Sequence, residues 1–255
     1  MKHLPNLLTL ANLFCGCIAI AFILNSQPYL ANVNGESYWV SGTEQAYLGG
    51  IFIFIAAICD LLDGAAARAL RVFSPIGKDL DSLADLVSFG VAPSMILFKM
   101  LWGANMSEPN AMDASMWMTA PAFLIASFGA LRLARFNITS DQQSTGFTGM
   151  PIPAVGLFIA SFPLINFYNP FNIGSHMQSK WMLLLIIAIL CWLMVSKIRF
   201  IKLMPSKWQM KYVWPQVVLI VVTAVAIPVL KIAAIPIAFI LYILLSFIYK
   251  QPEQV

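Results

Sequence analysis

The chain has 255 residues, 60% of them apolar and only 10% charged, with a mean hydropathy of +0.81. Soluble domains carry about 25% charged residues, so this composition excludes a soluble globular enzyme, a disordered regulator and a fibrous protein, and marks an integral membrane protein. The net charge of +4 is small, and its distribution sets topology rather than marking a nucleic-acid surface.

A bilayer core of about 30 Å asks for roughly 20 apolar residues per helix. In chain order, eight stretches meet or approach that length: 7–25, 46–70, 80–101, 117–136, 152–169, 180–197, 214–230 and 232–249. The last two are short and are separated only by Lys231, with Pro228 and Pro236 nearby, so one broken hairpin is the other reading. The expected fold is all-α, a polytopic bundle of about eight transmembrane helices forming a single transmembrane domain over residues 1–255. Gly49-Gly50 permits close helix contact and is a candidate dimer interface. The four cysteines (Cys15, Cys17, Cys59 and Cys191) lie within apolar runs and read as buried thiols.

An even number of spans leaves both termini on one side. Under this layout, all but three of the 15 Lys and Arg residues fall on that same face, the exceptions being Lys99, Lys180 and Lys231. The opposite loops, 25–45 and 103–116, carry Glu36, Glu44, Glu108 and Asp113 and no basic residue. The basic face, with both termini, is expected in the cytoplasm. Residues 197–211 hold five basic residues around Trp208 and read as a juxtamembrane stretch against anionic headgroups, or simply as a positive-inside loop.

Acidic residues then appear where lipid disfavours them. Asp60 interrupts the apolar run that begins at Ile51, at a cost of about 2.5–3.5 kcal/mol on insertion scales. At 100° per residue, Asp60, Asp63, Gly64, Ala67 and Arg68 share one face of the second helix, and Gly77, Asp81, Asp85 and Ser88 share one face of the third. The short connection, broken by Pro75, makes these helices antiparallel neighbours whose carboxylate faces meet. Such carboxylates repel unless neutralised. One or two divalent cations can neutralise them, and an oxygen-only ligand set suits Mg²⁺ or Mn²⁺. Hard cations so held complete their shells with phosphate oxygens. Gly64 would admit a ligand close to the backbone, and Arg68 would offer a phosphate fork. A cation-coupled transporter is the alternative that this chemistry leaves open.

In order, these residues read Asp60-x2-Asp63-Gly64-x2-Ala67-Arg68-x8-Gly77-x3-Asp81-x3-Asp85. The pattern resembles the signature of the CDP-alcohol phosphatidyltransferases, with every defining position filled. Leu4-Pro-Asn-Leu-Leu-Thr9 and its continuation to Gly16 resemble the opening of these enzymes. The segments Gly77 to Pro93, Leu131-Arg-Leu-Ala-Arg-Phe-Asn137 and Phe147-Thr-Gly-Met-Pro-Ile-Pro153 look like the membrane-embedded, serine-using branch of the family. The resemblance covers about residues 4–160. It implies a catalytic core of six helices over about 4–200, with an additional hairpin over about 212–250.

The implied reaction moves the phosphatidyl group of CDP-diacylglycerol to the hydroxyl of L-serine, giving phosphatidylserine and CMP. By resemblance, Asp60, Asp63, Asp81 and Asp85 hold the metal centre, two ions in all, and Asp85 accepts the proton of the attacking hydroxyl. Asn6, Thr9, Asp63, Gly64, Ala67, Arg68 and Ser74 would surround the cytidine and diphosphate. Arg132, Arg135 and Lys78 are candidates to grip the serine carboxylate, with Asn137 beside them, and positive-inside anchoring is the other reading of the two arginines. Homodimers in a bacterial inner membrane, with a cytoplasmic site, are what the family leads one to expect. Other acceptors within the family, glycerol 3-phosphate or an inositol phosphate, are the alternative enzymatic reading.

Overall fold

The computed structural model describes residues 4–25, 29–33, 36–40, 45–70, 75–107, 115–139, 147–169, 177, 179–201 and 210–249. Among the described residues, nine α-helices make up the membrane-embedded body. They are α1 (Leu4–Leu24), α2 (Ala46–Leu70), α3 (Pro75–Asp85), α4 (Ala92–Met106), α5 (Leu124–Thr139), α6 (Ile152–Tyr168), α7 (Lys180–Val195), α8 (Met210–Leu230) and α9 (Ala234–Ile248). A π-helical turn, Leu86–Val91, joins α3 to α4 without a loop, and a 3₁₀ turn, Met116–Phe123, leads into α5. Two short antiparallel ribbons stand between helices. One pairs β1 (Tyr29–Val33) with β2 (Glu36–Val40), and the other pairs β3 (Phe147–Thr148) with β4 (Arg199–Phe200).

The bundle is apolar outside as well as inside. Phe14, Ile58, Leu61, Leu62, Ile220, Val225 and Val229 are exposed, as expected when the surrounding solvent is hydrocarbon. Five helices among the described residues are long and apolar enough to cross a membrane: Leu4–Leu24, Ala46–Leu70, Ile76–Met106, Met116–Ile138 and Trp214–Ile248. Two shorter apolar helices, Ile152–Tyr168 and Lys180–Val195, accompany them.

The last of the five, with 35 residues, would stretch about 52 Å as a straight rod. Instead, the rings of Trp214 and Tyr249, at its two ends, lie 5.8 Å apart. It therefore folds back on itself. The turn is a 3₁₀ segment, Lys231–Ala233, in which Lys231 adopts a φ of 50°. The hairpin docks through α9: Phe239 stacks on Phe158 of α6 at 4.2 Å, and the Tyr242 hydroxyl donates to the Ile201 carbonyl at 3.1 Å.

Small and polar residues govern the inner contacts. The buried stripe of α1 is Pro5, Thr9, Asn12, Gly16, Ala19 and Ile23, and that of α2 includes Gly49, Gly50, Ile53, Ala56, Ala57 and Asp63. With no hydrophobic force between helices in lipid, such stripes allow the close approach on which packing depends. Gly49 is pressed against Ile23 and the Ala19 carbonyl of α1, and Gly50 against the Ala160 carbonyl of α6. This corrects the expectation of a dimer interface there, because both glycines are consumed within the chain. All four cysteines are free, but only Cys191 is buried, and Cys17 lies on the exposed face of α1. Gly149, with φ of 82°, abuts the Met194 carbonyl and turns the chain from β3 into α6.

Candidate active site

The antiparallel pairing of α1 with α2 brings the first half of one against the second half of the other. Thr9 Oγ1 donates to Asp63 Oδ2 at 2.8 Å across this contact. The next polar residue on the same stripe of α1, Asn12, donates from Nδ2 to Asp85 Oδ1 at 3.2 Å. One helix thus holds a carboxylate from each of the two helices that carry the acidic pattern. Asp81 and Asp85 are spaced i, i+4 and share a face of α3, and the π turn begins immediately after Asp85. That turn is clamped from two sides. Ser88 Oγ donates to the Asn12 carbonyl at 3.0 Å, and a side chain at Gly156 of α6 would run into the Phe89 backbone. Single π turns inside α-helices recur at functional sites.

Oxygens of Asp60, Asp63 and Asp81 lie within 4.8 Å of one another. Asp63 is buried and the other two are half-buried. Asp85, 8% exposed, stands one helical turn beyond Asp81 and outside that three-way cluster. The Asp81 Oδ1 atom is buried and accepts no hydrogen bond, an arrangement that is costly for a carboxylate unless a cation satisfies it. Carboxylate oxygens at this separation, without His or Cys among them, fit a hard divalent cation such as Mg²⁺ or Mn²⁺.

Around this centre, the Arg68 guanidinium lies over Gly64, its nearest nitrogen 3.5 Å from where a Cβ would stand. Asn6 and Ala67 are half-buried on the same stretches of α1 and α2, and Ser74 lies outside the described residues. The candidates for the acceptor side separate. Arg132 is 8% exposed, lies 5.8 Å from the Phe136 ring centre, and has a buried Nε without a hydrogen-bond partner. The Asp85 carboxylate and the Tyr242 phenol both act electrostatically on Arg132. Arg135 points outward. Lys78 Nζ donates to the Asn137 carbonyl at 3.2 Å, and Asn137 Nδ2 donates to Ser82 Oγ at 2.8 Å, so these residues tie α3 to the end of α5.

Asn12 and Tyr242 were not singled out from sequence. For Asn12 a signal existed: an amide in an apolar span, three residues after Thr9 and so on its face, is costly in lipid unless it has a partner. Tyr242 comes from the far end of the chain, and no local pattern links it to Arg132.

Clustered carboxylates with an orphaned oxygen, beside a guanidinium and facing a glycine, define an enzyme that works on phosphate esters within a membrane. The chain belongs to the CDP-alcohol phosphatidyltransferase family, whose model matches residues 2–195. It is similar to the CDP-diacylglycerol–serine O-phosphatidyltransferase of Bacillus subtilis, with 34% identity over 203 residues, covering 78% of this chain and 90% of that one. It is also similar to the enzyme of the same name from Helicobacter pylori strain 26695, with 33% identity covering 81% of this chain and 75% of the other. An archaetidylserine synthase of Methanothermobacter thermautotrophicus is 36% identical over 121 residues, 47% of each chain. The matched family region ends before α8, so the C-terminal hairpin lies beyond it.

Proposed function

We propose that this chain transfers the phosphatidyl group of CDP-diacylglycerol to the hydroxyl of L-serine, releasing CMP. The observation that carries the reading is the convergence of Asp60, Asp63 and Asp81 to within 4.8 Å, with Asp85 one turn away. The names of the bacterial relatives supply the acceptor. Asp60, Asp63, Asp81 and Asp85 would hold two divalent ions. When bound, those ions supply charge neutralisation for the diphosphate and for the departing CMP.

The chain's own groups do the rest. Arg68, over Gly64, forks onto a diphosphate oxygen, and Thr9 fixes the Asp63 carboxylate that faces it. Asn6, Ala67 and Ser74 complete the nucleotide surface. Asp85, oriented by Asn12, takes the proton from the serine hydroxyl as its oxygen bonds to the lipid-linked phosphorus and the bond from phosphorus to the CMP oxygen breaks. The acyl chains stay in lipid throughout. Eight crossings, counting the folded-back pair α8 and α9 separately, leave both termini and the aspartates on the basic, cytoplasmic side of a bacterial inner membrane. A homodimer is the assembly we expect from the family.

The reading is tested by CMP release from CDP-diacylglycerol in membranes holding the full chain. Release should depend on serine and on Mg²⁺ or Mn²⁺, with glycerol 3-phosphate and an inositol phosphate inactive as acceptors. Release driven by another alcohol would move the chain to another branch of the family, and ion flux without CMP would make it a transporter.

The acceptor side carries a separate expectation. Arg132 is buried beside the site, whereas Arg135 points outward. Arg132→Ala should raise the KM for serine about tenfold, the scale of one charge-assisted hydrogen bond, with little change in the KM for lipid, while Arg135→Ala leaves both near wild type. Equal effects of Arg132→Ala on both substrates would reassign it to the phosphate or to structure.

A further inference from the structure

The hairpin of α8 and α9 lies beyond the matched family region, yet it reaches the acceptor side of the site. Its anchor is a clamp on the backbone of Ile201, the residue that follows β4. The Tyr242 hydroxyl donates to the Ile201 carbonyl at 3.1 Å, and the Ile201 amide donates to Ser246 Oγ at 3.3 Å. The Ser246 hydroxyl in turn donates to the Tyr242 carbonyl at 2.8 Å. Tyr242 and Ser246 are spaced i, i+4 and so share one face of α9. The Tyr242 ring also stacks on Phe200 at 5.9 Å, and the residue is 4% exposed. A ring contact, a hydrogen bond and enclosure therefore fix this phenol in place.

The phenol and the Arg132 guanidinium act electrostatically on each other. A guanidinium keeps its charge in proteins, and a buried charge is costly unless the groups around it compensate. Arg132 has the Asp85 carboxylate, the Phe136 ring at 5.8 Å and the Tyr242 oxygen about it, while its buried Nε has no hydrogen-bond partner. Having given its only proton to Ile201, Tyr242 offers other groups lone pairs alone, the end of a hydroxyl that attracts a cation. Asp85 and Tyr242 belong to different helices, so their pulls on the guanidinium compete. We propose that the C-terminal hairpin completes the acceptor side of the site, with Tyr242 as a positioning residue that holds Arg132 where the serine carboxylate binds. This rests on the serine reading above. Without the phenol oxygen, the strongest remaining attraction is Asp85, and Arg132 turns toward it. Serine then has to pull the guanidinium back, a cost that saturating serine overcomes and that therefore appears in KM rather than kcat.

The experiment measures CMP release by the full chain in membranes, with serine and lipid varied in turn. Tyr242→Phe keeps the ring against Phe200 and removes only the oxygen. It should raise the KM for serine about fivefold, within the range of one neutral hydrogen bond, with kcat and the KM for lipid within about twofold of wild type. Ser246→Ala is the structural control: it too removes one bond to the Ile201 backbone, and its KM for serine should stay near wild type. In an Arg132→Ala background, Tyr242→Phe should raise the KM for serine no further, because the two residues act as one unit. Equal increases from Tyr242→Phe and Ser246→Ala would reduce Tyr242 to a clamp on Ile201 and overturn the positioning role. So would a full fivefold increase in the Arg132→Ala background, or a wild-type KM in Tyr242→Phe. The wild type tests the underlying reading separately: absence of serine-dependent CMP release defeats both, whereas the outcomes just named defeat the role of Tyr242 alone.

Discussion

Asp85→Asn should lower turnover by about 10²–10⁴-fold, the usual worth of a positioned general base, while binding of CDP-diacylglycerol remains measurable. The substitution is nearly isosteric, and an asparagine carbonyl can still accept the hydrogen bond that Asn12 Nδ2 now gives to Asp85 Oδ1 at 3.2 Å. Packing at this position is tight, with the residue 8% exposed, so preserving the shape matters. What disappears is the ability to take a proton. Because the serine proton moves only in the reacting complex, kcat and kcat/KM should fall together. Asp81→Asn provides the contrast: it removes a carboxylate of the three-way cluster and should weaken lipid binding as well as turnover. Near-normal turnover in the Asp85 variant would take the base role from this residue.

The acidic cluster was legible in the sequence because lipid makes carboxylates costly. Asp60 in an apolar run, with Asp63 three residues on, already required partners on a neighbouring helix. The apolar helices were legible for the same reason, though some of their starts read late. The first run reads as starting at residue 7 and the third at residue 80, whereas the helices start at Leu4 and Pro75. Hydropathy detects where lipid begins, but Lys78 and Asp79 belong to a polar opening turn that is helical all the same.

Other features depend on tertiary contact, which periodicity cannot supply. Gly49-Gly50 announced close approach without saying to what, and the answer is α1 and α6. Arg132 and Arg135 are only about 60° apart on a helix, too close for a pattern to tell which faces inward. The final 35 apolar residues admitted two short spans or one broken hairpin, and the 5.8 Å contact between Trp214 and Tyr249 shows the two halves running back along each other, as both readings require. The π turn had no signal at all. Leu-Val-Ser-Phe-Gly-Val is unremarkable as helix, and its extra residue per turn is imposed by what grips it.

That grip leads to the second large effect, at a residue far from any substrate. Gly156→Leu should cost about 1–3 kcal/mol of stability through overpacking and reduce turnover by about 10²-fold. A Cβ at Gly156 would stand 2.9 Å from the Phe89 Cα, and Phe89 is fully buried within the π turn. Backbone cannot step aside as the end of a flexible side chain can, so the turn or α6 must move. The turn follows Asp85 directly, and its Ser88 is hydrogen-bonded to the carbonyl of the same Asn12 whose amide holds Asp85. A shift of the turn therefore carries the base out of line, and misplacements near 1 Å are known to cost this much. Thermal unfolding and CMP release, measured side by side with Gly103→Leu in α4, where an added Cβ meets nothing within 4 Å, separate the two kinds of glycine. The open one should tolerate its leucine, and the clamped one should lose both stability and rate. Wild-type values for both properties in Gly156→Leu would mean that α6 does not hold the turn in place.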